Sequence, residues 1–79
     1  MDWKNHIHLD PAVLLGKPVI KGTRLSVEFI LSLFAAGWSE KQILENYPFL
    51  KPEDLRAVFA FVADYMKEDA LYPLQGEVG

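Results

Sequence analysis

The chain has no cysteine. That excludes disulfides and thiolate metal sites, and it fits a reducing compartment. No apolar run approaches the roughly 20 residues of a membrane span. The first residues lack the basic-then-apolar layout of a secretory signal. The chain therefore reads as soluble and cytoplasmic. It also lacks the parts of an active site: no Ser/His/Asp pattern and no phosphate-binding loop are present, and its only two histidines, His6 and His8, sit two residues apart. It reads as a non-enzyme with no cofactor. Positive charge is scarce, with eight Lys and Arg against eleven Asp and Glu and a net charge of −3.

What is abundant is apolar surface. Of 79 residues, 51% are hydrophobic and 13% aromatic, which is rich for one small domain. So short a chain has little interior in which to hide that surface, so part of it is expected in a homodimer or against a partner. The charge is unevenly spread. Residues 1–25 carry Lys4, Lys17, Lys21 and Arg24 against Asp2 and Asp10. Residues 26–79 carry four cations against nine carboxylates. An anionic polymer would meet the N-terminal part and be repelled at long range by the rest.

The segment Gly16-Lys17-Pro18-Val19-Ile20-Lys21-Gly22-Thr23-Arg24-Leu25 is the hardest to explain by packing alone. Val19-Ile20 and Thr23-Arg24-Leu25 flank an X-Gly break and read as a small β-hairpin. Gly22 supplies the positive φ of the turn. Upstream, Met1–Asn5 reads as a loose start. His6-Ile7-His8-Leu9 alternates like a strand, with Ile7 and Leu9 inward and the two histidines sharing the solvent face. Asp10-Pro11 reads as the cap and first position of a single helical turn ending at Leu15.

Three helices follow. Ser26 caps the first, which runs over 27–36, is apolar on two faces and closes at Gly37. Ser39 and Gln42 form a capping box for the second, 40–46, with Trp38 and Ile43 placed as a hydrophobic staple. Tyr47-Pro48 ends it, and Phe49-Leu50 reads as a buried connector. Pro52 opens the third, which runs to about residue 68 with Glu53 and Asp54 in its first turn. Lys51 before it is a poor cap. Leu55, Val58, Phe59, Val62 and Met66 read as its core stripe, and Ala57, Phe61 and Tyr65 as a second. Residues 69–79 form a tail. The fold class is mainly α: a three-helix helix-turn-helix bundle with a short N-terminal β element, in one domain.

A helix-turn-helix makes a chemical demand. The first turn of its last helix should meet base edges and phosphates, and here that turn holds Glu53, Asp54 and Arg56. Two carboxylates oppose phosphate there. The candidate DNA contacts are therefore Lys17, Lys21 and Arg24 of the hairpin together with Arg56. Solvated turn residues are the competing reading. Leu71, Tyr72 and Leu74 are candidate contacts for a protein partner; the competing reading has the tail folding back on its own bundle.

The Gly16 to Leu25 run, Val27, Ala36-Gly37, Ile43-Leu44-Glu45-Asn46-Tyr47-Pro48, Leu50 and Glu53-Asp54-Leu55 resemble the bacterial domain of unknown function family 433, over about residues 6–66. The resemblance implies a homeodomain-like three-helix helix-turn-helix bundle with a short N-terminal β element, and a VapB-type antitoxin encoded beside a PIN-like ribonuclease toxin. Such an antitoxin binds its toxin and, with it, its own promoter DNA. No catalytic residue carries over. A dimerisation or interaction module that binds no DNA is the second reading.

Overall fold

The computed structural model describes residues 1–10, 12 and 16–69. A 3-10 turn at Trp3–Asn5 leads into strand β1 (Ile7–His8), strand β2 (Val19–Ile20) and helices α1 (Val27–Ala35), α2 (Glu40–Asn46) and α3 (Pro52–Asp69). The start is not loose. The Asp2 side chain accepts the Lys4 N–H and caps the 3-10 turn.

The sheet departs from the expected hairpin. β2 pairs antiparallel with β1, Ile7 opposite Ile20 and His8 opposite Val19. The expected return arm survives only as an isolated bridge between Val19 and Ser26. Ile20 N–H donates to the Leu25 carbonyl, and Val27 N–H to that of Pro18. On the other edge Lys21 N–H donates to the His6 carbonyl. Val19-Ile20 is thus a central strand, buried on both sides, which explains its two consecutive β-branched residues. Leu9 lies outside the pairing and is 55% exposed, so the inward alternation stops at Ile7.

The helix ends are set locally. The Ser26 side chain accepts the Phe29 N–H at the start of α1. At its end Trp38 N–H reaches the Leu33 carbonyl and Gly37 N–H that of Phe34. With Gly37 at φ 96, this is a complete Schellman motif. The capping box of α2 is present in both halves. At α3, Lys51 has no capping oxygen, but Asp54 Oδ2 reaches back to the Lys51 N–H at 2.9 Å. That is half a capping box, and it offsets the poor cap.

The core gathers Ile7 and Ile20 from the sheet, Ile30 from α1, Ile43 from α2, and Leu55 and Val58 from α3. Here α3 differs from its predicted pattern. Leu55, Ala57 and Val58 are buried, but Phe59 and Met66 are each 48% exposed. The reason is length. An 18-residue helix spans about 27 Å, while the nine residues of α1 span about 14 Å, so cover thins past Val58: Phe61 and Val62 still pack on the core, but Tyr65 and Met66 lie open. The connector is also divided: Leu50 is buried, but Phe49 is 58% exposed.

Among the described residues no helix is long and apolar enough to cross a membrane. The expected helical turn at 11–15 and the tail contacts Leu71, Tyr72 and Leu74 lie outside the described residues, apart from Ala12, whose N–H donates to Asp10 Oδ1 at 2.9 Å.

Candidate functional site

The turn between β2 and α1 is built from one glycine and one threonine. Ile20 C=O accepts both the N–H of Thr23, at 3.1 Å, and its hydroxyl, at 2.8 Å. The same hydroxyl oxygen accepts the Leu25 N–H at 3.0 Å. Gly22 has φ +79, and a Cβ there would meet nothing within 4 Å. The glycine is thus required by backbone conformation and not by crowding. A side-chain hydroxyl bonded on both sides of the bend removes most of the loop's freedom, so this turn is preorganised.

The turn holds Lys21 and Arg24 outward, both exposed. Among the described residues neither has an ion-pair partner. The other two candidate cations are placed differently. Lys17 Nζ lies 2.9 Å from Glu28 Oε1 of α1. Arg56 Nη2 lies 3.9 Å from Glu53 Oε1, one turn back on α3. Exposed pairs of this kind contribute at most about 1 kcal/mol, so neither cation is immobilised, but each has a carboxylate beside it. Of these four candidates, Lys21 and Arg24 are the two with no carboxylate beside them among the described residues.

Beside that turn lies a feature with no expectation behind it. Gly22, Thr23, Arg24, Leu25 and Phe49 line a shallow depression. Phe49 meets Tyr47 nearly edge-to-face, ring centroids 6.2 Å apart, and Tyr47 meets Phe29 likewise at 5.9 Å. Phe49 thus shares the depression with Arg24, and its contact with Tyr47 continues to Phe29. The signal in the sequence was an aromatic pair, Tyr47 and Phe49, flanking a proline in a short connector. Connectors seldom bury both.

The carboxylates at the start of α3 also read differently in place. Asp54 Oδ1 lies 3.0 Å from His6 Nδ1, and both side chains are largely buried. With its second oxygen on the Lys51 N–H, Asp54 ties β1 to the N-terminus of α3. It is a structural residue, not a charge at a groove entrance, and His6 is not a solvated partner of His8. His8 instead faces Asp10, Nε2 to Oδ2 at 3.4 Å.

A second concavity lies at the far end of α3. It has a volume of about 810 Å³, and Trp3, Leu9, Phe61 and Tyr65 line it with Lys4 and Lys67. Trp3 anchors it. Its indole N–H donates to Asp64 Oδ2 at 2.8 Å, and its ring meets Phe61 edge-on at 4.7 Å. Phe61 in turn stacks with Tyr65 one helical turn on, at 6.2 Å.

The chain's similarities to known proteins fall on this framework. Residues 7–62 match the family described as "Protein of unknown function (DUF433)". The uncharacterized protein y4eO of Sinorhizobium fredii is 41% identical over 46 residues, which make up 58% of this chain and 21% of that protein. The crystal structure of a DUF433 member protein from Anabaena variabilis superposes with a TM-score of 0.70 at 32% identity, over 91% of this chain and 64% of that one. The chain thus spans about a fifth of the curated relative's length and just under two thirds of the solved chain.

Proposed function

The chain belongs to the DUF433 family, and on that premise we propose that it is a dimeric VapB-like antitoxin of a type II toxin-antitoxin pair. It binds a PIN-like ribonuclease toxin and its own promoter DNA, and it is a binding protein with no catalytic residues. The observation that carries the DNA half is the preorganised turn that presents Lys21 and Arg24 in an otherwise acidic protein. A turn whose backbone is already ordered loses little backbone entropy when its two exposed cations meet phosphate, and phosphate contacts set affinity and orientation without reading sequence. Lys17 and Arg56 add contacts once phosphate competes with Glu28 and Glu53. Phe49 supplies an apolar face beside Arg24. The protein half is assigned to Leu71, Tyr72 and Leu74, apolar residues that follow α3 and suit a groove on a partner.

A second reading has its own support. The α3 stripe of Phe59 and Met66 is half exposed, and Phe34 of α1 packs on Phe59 at 5.0 Å. Such a face suits a dimerisation or interaction module that binds no DNA.

A gel-shift titration separates the two. The protein is titrated on the DNA upstream of its own gene, at two salt concentrations, with and without the product of the adjacent gene. Salt-sensitive, sequence-selective retardation that tightens with the partner is expected for the antitoxin. Absence of retardation under every condition leaves the interaction module.

A further inference from the structure

The groove at the far end of α3 is unlike the rest of the bundle surface. It combines a Trp-Phe-Tyr ladder with exposed Leu9. Among its described polar lining, Asp64 is engaged by the Trp3 indole. An aromatic groove of this size with a few polar groups is the usual form of a binding site.

We propose that the groove is the seat of this chain's own segment around Leu71-Tyr72-Pro73-Leu74, bound in cis. Four observations converge on that occupant. The segment starts next to the groove, because α3 ends at Asp69 and both Tyr65 and Lys67 line the site. It can reach. Returning from residue 69 to the level of Phe61 means covering about 12 Å of helix, and five extended residues span up to about 17 Å. Its chemistry fits. Leu71, Tyr72 and Leu74 are apolar and match a lining of Trp3, Leu9, Phe61 and Tyr65, and Pro73 disfavours continuing α3 as helix. Finally, the linkage is covalent and short. A tethered segment is present at an effective concentration in the millimolar range, so it outcompetes a free partner of equal intrinsic affinity.

The occupancy itself is independent of the antitoxin reading. Its consequence rests on that reading: the residues assigned to the toxin are held on the antitoxin until a toxin competes for them, so the groove sets a threshold for neutralisation.

The absence of cysteine supplies the test. Gln75→Cys creates a single attachment point for a nitroxide spin label beside the anchors, leaving them intact. In the ¹⁵N-labelled full chain, the indole N–H of Trp3 and the amide of Leu9 should lose more than half of their signal relative to the reduced label. The indole of Trp38, which does not line the groove, should keep its signal. Adding Leu71→Asp and Leu74→Asp to the labelled chain should restore Trp3 and Leu9. Unchanged Trp3 and Leu9 signals in the labelled chain, with broadening confined to the end of α3, would overturn the proposal. So would broadening that survives the double substitution. Broadening that appears only when spin-labelled unenriched chain is mixed with unlabelled ¹⁵N chain would place the segment on a second copy and equally overturn binding in cis. None of these outcomes depends on DNA or on a toxin.

Discussion

The two halves of α3 share a helix and an amphipathic repeat, yet they do different work. The first half, Pro52 to Val58, is tied down. Asp54 joins it to His6 and to the Lys51 N–H, and Leu55, Ala57 and Val58 are buried. The second half, Phe59 to Asp69, carries more large apolar side chains; Phe61 and Val62 pack at the core's edge, but Phe59 and Met66 are each 48% exposed and Tyr65 64%. Hydrophobic periodicity states which side of a helix is apolar. It does not state how far the neighbours extend to cover that side. Burial in the first half serves folding, and the exposed second half is the surface proposed to take a partner or the chain's own tail.

The contrast can be broken by substitution. Leu55→Ala, at a side chain 1% exposed, should destabilise the fold by about 2–5 kcal/mol in urea unfolding. Gly22→Val should destabilise by about 1–2 kcal/mol through the forbidden backbone conformation alone, because a Cβ there meets no atom. Gly22→Asn should lose much less, since asparagine tolerates the left-handed region. Equal losses for the two would mean that space, not φ, selects the glycine. Asp54→Ala should cost about 1 kcal/mol, as the Lys51 N–H loses its acceptor and His6 its partner. Tyr65→Ala, in the exposed half, should stay within about 0.5 kcal/mol. A Tyr65→Ala loss as large as that of Leu55→Ala would erase the distinction between the two halves.

How much of this was legible in the sequence follows from the range of each interaction. The Ser26 cap, the Ser39/Gln42 box and the positive φ at Gly22 and Gly37 are contacts within a few residues, and residue identity announces them. The three-helix bundle follows from such signals plus periodicity. What was not legible spans the chain. His6 meets Asp54 across 48 positions, and Trp3 meets Asp64 across 61. Neither pair has a local signature, so His6 read as solvated and Asp54 as a bare dipole charge. The sheet failed for a related reason. Val19-Ile20 has a partner on each edge, and the sequence displays only the nearer one, at Leu25 and Ser26. In the candidate site, the exposure of Lys21 and Arg24 follows from their place in a turn, whereas the carboxylates beside Lys17 and Arg56 and the ring of Phe49 emerge only from the packing.

The central claim is that the Gly22/Thr23 turn delivers its cations to a phosphate backbone. The most direct measurement is the salt dependence of DNA affinity for the parent chain and for the double variant Lys21→Ala/Arg24→Ala, each on the gene's own upstream DNA. Each phosphate contact contributes about −0.9 to the slope of log K against log salt. Loss of two contacts should therefore flatten the slope by about 1.8 per chain and weaken binding across all sequences. A double variant with the parent's slope and affinity would contradict the account and return the DNA question to the first turn of α3.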